Sequence, residues 1–106
     1  MIVKKVFFSI TLLLFLSTAT FAHTFKVLIF SKTEGFRHAS IPIGIAAIQQ
    51  LGLENNFSVD ATEDASIFTY SNLIQYDAII FLSTTGNILN SAQQEAFEQY
   101  IQSLSL

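Results

Sequence analysis

Apolar and polar positions fall in blocks along the chain, and the blocks predict alternating strands and helices. Residues 25–30 place Phe25, Val27, Leu28, Ile29 and Phe30 around one charge, Lys26, the pattern of a strand buried on both faces. After a polar stretch, Ser40 is positioned to cap a helix whose first turn accommodates Pro42. Ile41, Ile45, Ile48 and Leu51 recur at helical spacing and give that helix an apolar face, with Gly52 as its expected stop. Phe57, Val59 and Ala61 alternate with Ser58, Asp60 and Thr62, which predicts a second strand, less buried and at a sheet edge. Residues 69–76 read as a short helical turn. Asp77 then leads into Ala78, Ile79, Ile80, Phe81 and Leu82, a third strand apolar on both sides. Asn90 with Gln93, or Ser91 with Gln94, forms a capping pair ahead of a second amphipathic helix carrying Ala96, Phe97, Tyr100, Ile101 and Leu104. This order predicts an α/β fold, a parallel sheet ordered two, one, three with right-handed crossovers and helices on both faces. The third strand is as apolar as a central one, and no further strand follows it. The expectation is therefore a sheet truncated after about three strands, with an unpaired apolar edge prone to aggregation.

The first 22 residues carry a different pattern. Lys4 and Lys5 precede an apolar stretch from Val6 to Leu16 broken by Ser9 and Thr11, and Thr20 and Ala22 supply small residues before a cut ahead of His23. This is the layout of a signal peptide, and the apolar run is shorter than the roughly 20 residues of a spanning helix. With no cysteine in the chain there is no lipoprotein anchor. The expectation is a secreted or periplasmic protein, free of the membrane after cleavage, with residues 23–106 forming one folding unit. Losing Lys4 and Lys5 leaves three basic against eight acidic side chains, a net charge of −5 that disfavours nucleic acid and anionic bilayers as partners. A small neutral carbohydrate suits such a surface better. The oligomeric state is left open.

In an open parallel sheet, ligands gather beyond the carboxyl ends of the strands, near the point where strand order reverses. Two polar loops are expected there. Residues 31–38 contain Lys32, Glu34, Gly35, Arg37 and His38; residues 83–87 read Ser83, Thr84, Thr85, Gly86 and Asn87, rich in groups that hydrogen-bond to a sugar. His38 precedes a helix start, where the helix dipole favours a neutral imidazole, which makes it the candidate catalytic base; a structural histidine bonded to loop backbone is the alternative. Arg37 offers a planar donor fork to substrate, or else forms an exposed ion pair. Thr85, Gly86 and Asn87 are the other candidate substrate-binding residues. Glu34 and His38, four apart, are the candidate ligands if a divalent metal is used. Gly35, Ser40 and Asp77 are read as structural: a loop glycine, a helix cap and a turn at the opposite end of the sheet. Asp60, Glu63 and Asp64 read as a solvated acidic rim. Ser31, Ser40 and Ser83 lack a Gly-x-Ser-x-Gly setting, and no glycine fingerprint for a nucleotide is present, so no nucleotide is expected.

Taken together, Lys26-Val27-Leu28-Ile29-Phe30-Ser31, Gly35-Phe36-Arg37-His38-Ala39-Ser40-Ile41 and Tyr76-Asp77-Ala78-Ile79-Ile80-Phe81-Leu82 resemble the ThuA-like, trehalose-utilisation family. Ser83 to Leu89 and Gln93 to Ile101 look like that family's next loop and helix. The resemblance implies a three-layer, flavodoxin-like sheet similar to class I glutamine amidotransferases but lacking their cysteine. It also implies a role in trehalose, disaccharide or keto-sugar catabolism. It places the family's Gly-aromatic-Arg-His-Ser-Ile pattern on Gly35, Phe36, Arg37, His38, Ser40 and Ile41, which adds weight to His38. Family members continue with a glycine-rich turn, a strand and a Gly-Ile-His element, so the chain reads as the N-terminal part of the domain. A non-catalytic carbohydrate-binding module and a nonfunctional truncated product are the alternatives to an enzyme.

Overall fold

A computed structural model describes residues 23–104. The signal-peptide expectation at residues 1–22 lies outside the described residues, and so do Ser105 and Leu106. Strand β1 spans Lys26–Phe30, helix α1 Ile41–Asn55, strand β2 Ser58–Thr62, helix α2 Tyr70–Leu73, strand β3 Ala78–Phe81 and helix α3 Ser91–Leu104. A 3-10 turn at Ala65–Ile67, not foreseen from the sequence, precedes α2. The three strands form one sheet ordered β2-β1-β3. Both pairings are parallel: Val27 lies opposite Val59 on one side and Ala78 on the other, and Phe30 opposite Thr62 and Phe81. The α/β class, strand order and parallel pairing follow the expectation. No strand pairs with the outer edge of β3 among the described residues.

Alternation along β1 divides the interior into two layers. Leu28 and Phe30 point to one face and join Ala65, Phe68, Leu73, Tyr76 and Tyr100 in the main core. There the rings of Phe30, Phe68, Phe81, Phe97 and Tyr100 meet at centroid distances of 4.7 to 6.2 Å. Such pairs contribute about 0.5–1.5 kcal/mol each beyond the area they bury. Val27 and Ile29 point to the other face, which α1 covers. Glycines let α1 approach closely: a Cβ at Gly44 would lie 3.1 Å from Leu82, and one at Gly52 only 2.6 Å from the Phe57 carbonyl. Helices therefore cover both faces of the sheet.

Several local expectations need correction. Gly52 does not stop α1; it is buried within the helix, where the returning chain at Phe57 leaves no room for a side chain. The helix runs on to Asn55, and Asn56 takes the left-handed conformation at φ 59°. The inward face accordingly contains Ile41, Ile45, Ile48 and Gly52, while Leu51 is half exposed. Ser40 occupies the N-cap position but its side chain makes no capping bond. The other helix is capped as expected. Asn90 Oδ1 accepts from Gln93 N at 2.9 Å and Gln93 Oε1 from Asn90 N at 2.8 Å, so Asn90 and Gln93 are the capping pair. Along α3, Ala96 and Tyr100 are buried, whereas Ile101 and Leu104 lie on the outer side.

Candidate functional site

Pairing between β1 and β3 continues past the strands and joins the two loops that follow them. Leu82 N donates to Phe30 O at 2.9 Å, Thr33 and Thr85 form a parallel bridge, and Glu34 N donates to Thr85 O at 2.9 Å. Gly86 makes this junction possible. Its φ is +79°, a conformation that penalises any Cβ, and a Cβ there would sit 2.9 Å from Glu34 Cβ. Just ahead of it, Ser83 holds a left-handed backbone at φ 53° with an exposed side chain. Strained residues of this kind concentrate at functional sites.

Beside the junction lies a polar hollow of about 560 Å³, open to solvent, where Lys32, Glu34, Asn87, Asn90, Gln93 and Gln94 are among the lining residues. Its wall thus combines the β1 loop, the β3 loop and the start of α3. Amides line much of it, but Asn90 Oδ1 and Gln93 Oε1 serve the cap of α3 and Gln94 Nε2 donates to Leu89 O at 3.0 Å, so the Asn87 amide and the remaining atoms of the other three face a ligand. Two hydroxyls on the joined segments, Ser31 Oγ and Thr85 Oγ1, are buried with no hydrogen-bond partner. An unpaired buried hydroxyl costs about 1–3 kcal/mol.

The candidate residues divide into two groups. Glu34, Thr85, Gly86 and Asn87 belong to the junction and its hollow. Arg37 and His38 do not line it. Arg37 instead reaches the turn after β2, where Nε donates to Glu63 Oε1 at 3.2 Å and Nη2 to Glu63 Oε2 at 2.9 Å. These hydrogen bonds push the Arg37 pKa up and hold the Glu63 carboxyl below its ordinary range. Arg37 thus makes an exposed ion pair with Glu63. His38 is exposed, its ring edge-on to Phe36 with centroids 5.0 Å apart, and its carbonyl accepts from Ile41 N at 3.2 Å. Glu34 Oε1 lies 3.6 Å from Lys32 Nζ. Among the described residues no three histidine, aspartate or glutamate side chains converge as a metal site.

The residues read as structural also separate. Asp77, at the opposite end of the sheet, ties the start of β3 to the start of β1: its Oδ2 accepts from Lys26 N and His23 Nε2, each at 2.8 Å, and its own N donates to Lys26 O at 2.7 Å. The backbone bond from Lys26, then the one from His23, hold its carboxyl below the ordinary range. Gly35 has open space where a Cβ would sit. The acidic rim is not merely solvated. Glu63 holds Arg37, Asp64 Oδ1 accepts from Ser66 N at 2.9 Å to cap the 3-10 turn, and Asp60 Oδ2 accepts from Tyr76 Oη at 2.7 Å. Burial, chiefly, pushes Tyr76 up to about 12. Sequence reasoning missed Lys32, Gln93 and Gln94 as lining residues and Glu63 as the partner of Arg37. The polar run Asn90, Ser91, Gln93 and Gln94 after Leu89 is the available signal, and its spacing by itself points only to capping.

The family model for ThuA, trehalose utilisation, matches residues 26–103. Among solved structures, the chain is similar to a ThuA-like protein from Bacteroides uniformis, with 30% identity and a TM-score of 0.60. The match covers 79% of this chain and 35% of that one, so the chain spans about a third of that relative's length. No curated protein matches. No helix among the described residues is long and apolar enough to cross a membrane.

Proposed function

The chain belongs to the ThuA, trehalose-utilisation, family, and from that premise we propose that the hollow beside the Thr33–Thr85 junction is a carbohydrate site of a protein exported to the periplasm or medium. One observation carries this reading: the parallel bridge sets the amides of Asn87, Asn90, Gln93 and Gln94 around the same space as Lys32 and Glu34. A disaccharide or keto-sugar presents many hydroxyls, and the Asn87 amide, with the Asn90, Gln93 and Gln94 atoms not used in the cap of α3 or the bond to Leu89 O, matches them. The hollow's volume of about 560 Å³ falls within the roughly 300–1,000 Å³ of small-molecule sites. Its open, amide-lined wall favours a ligand that stays partly hydrated. Residues 1–22 support the export part of the proposal through their basic start, apolar run and small residues.

In the enzymatic form of this reading, His38 is the general base of a sugar-processing reaction, and an exposed imidazole at a helix start has ready access to a substrate proton. A second reading, a binding module without turnover, is favoured by the position of His38 outside the hollow lining. Calorimetric titration of the full chain with trehalose tests the shared claim: binding is expected, with at least fivefold weakening in Asn87→Ala, about the value of one hydrogen bond. His38→Ala separates the two forms. Loss of turnover with sugar affinity retained supports the enzyme; no turnover in either protein, with equal affinity, supports the module. Absence of trehalose binding by the wild-type chain overturns the assignment of the site.

A further inference from the structure

We propose that a hollow floored by Ser31, at the carboxyl ends of β1 and β2, is a second binding site that takes a single uncharged sugar ring or a polyol of that size. Ser31 N donates to Thr62 O at 3.0 Å, which extends the β1–β2 ladder by one residue. Alternation along the strand turns the Ser31 side chain to the same face as Val27 and Ile29, towards α1. On that face a hollow of about 230 Å³, open to solvent, is lined by Ser31, Ile45, Ala61, Thr62 and Glu63. The amide-lined hollow shares none of these residues. The two sites are therefore tested separately.

The Ser31 hydroxyl is the observation that points to a ligand. Ser31 is 0% exposed, and its Oγ has no hydrogen-bond partner among the described residues. Buried hydroxyls are nearly always paired, because an unpaired one loses its bonds to water and gains none in return. Position 31 continues an apolar face, where an alanine would pack without that penalty. The other polar groups of the hollow are held but not exhausted. Thr62 Oγ1 accepts from Asp64 N at 3.0 Å and keeps its proton to donate, and each Glu63 oxygen accepts one bond from Arg37 and retains a lone pair. A ligand hydroxyl reaches Oγ with a small shift of the Glu63 side chain, which is 45% exposed.

The lining defines the ligand. Ile45 and Ala61 offer apolar contact to the CH groups of a ring, while Ser31, Thr62 and Glu63 offer partners to its hydroxyls. The volume lies below the roughly 300 Å³ at which sites for larger small molecules begin, which suits one ring better than a disaccharide. Glu63 is the charged residue of the lining, so an anion is repelled. A cation meets the Arg37 guanidinium, already bonded to the same carboxylate, as a competitor.

Ser31→Ala tests the proposal through two readouts that a structural serine would not move together. Melting curves of the full chain and of S31A, both without ligand, come first. Deleting an unpaired buried hydroxyl is expected to raise Tm by about 4 °C or more. Both proteins, isotopically labelled, are then titrated with glucose and followed by residue-resolved NMR. In the wild-type chain the amides of Ser31, Ile45, Thr62 and Glu63 are expected to shift. Binding at those amides should weaken at least about fivefold in S31A, the loss of one hydrogen bond. Any shift at Asn87 or Gln94 reports the other hollow and should be the same in both proteins. A Tm for S31A at or below that of the parent would mean that the hydroxyl already has a partner inside the fold, and overturns the proposal. Wild-type glucose affinity in S31A, or no shift at the four amides at saturating glucose, overturns it as well. So does a shift at Glu63 with ammonium chloride but not with glucose, which would mark a cation site.

Discussion

Replacing Gly86 by alanine should loosen the junction that forms the site, because two costs fall on one atom. At φ +79° an alanine pays the left-handed penalty of about 1–2 kcal/mol. Its Cβ would also lie 2.9 Å from Glu34 Cβ, next to the backbone of the facing loop and far from any flexible tip. Relief requires the loops to move apart, at a cost of about 1 kcal/mol or more by comparison with overpacked sites. Against this stands a gain of about 0.4–1 kcal/mol from the narrower unfolded ensemble. The net expectation is a loss of about 2 kcal/mol, or a fall in Tm of about 10 °C for a domain of this size. Gly35→Ala is an internal control. It lies in the same pair of loops with open space around the new Cβ, so its stability should stay within about 0.5 kcal/mol of the parent. Urea unfolding measures both variants, and hydrogen exchange at the Glu34 amide reports whether its bond to Thr85 O survives. If Gly86→Ala is as stable as the parent and the Glu34 amide remains protected, the reasoning about the junction is refuted.

Three further outcomes follow from the packing. Tyr100→Phe deletes a buried hydroxyl that donates to Tyr76 O at 2.9 Å, and should cost about 1 kcal/mol in urea unfolding. Asn90→Ala removes the acceptor for Gln93 N, and a loss of about 1 kcal/mol, visible as reduced helicity at the start of α3, is expected. Asp77, Asp64 and Glu63 all have carboxyls held below their ordinary range in the folded chain. Groups of this kind stabilise the fold above their unfolded pKa, about 4, and lose that contribution as pH falls through the lower folded values. Melting temperature should therefore decline below about pH 4, and Asp77→Asn should decline less steeply over that interval.

The strands were legible because their burial is written into contiguous residues. A run such as Val27, Leu28, Ile29 and Phe30 has no soluble face, and β1 is indeed flanked on both sides and covered above and below. Asn90 and Gln93 were legible for a similar reason, since a capping pair depends on spacing alone. The end of α1 was not. Gly52 has the composition of a stop, yet its role comes from the Phe57 carbonyl folding back against it, a contact that exists only once β2 is in place. Arg37 shows the same limit at the site. Its partner Glu63 is 26 residues away, on a different strand's loop, so no local pattern connects them. The shared rim of the two loops was foreseen from strand order; which side chains face the hollow depends on how α3 begins above it.

Residue-resolved NMR titration of the isotopically labelled full chain with trehalose tests the site most directly. Amide shifts should concentrate at Glu34, Thr85, Asn87 and Gln94, with the Asp77 end of the sheet unmoved. Shifts centred on Asp77 and Lys26 instead, or none anywhere at saturating sugar, would contradict the account.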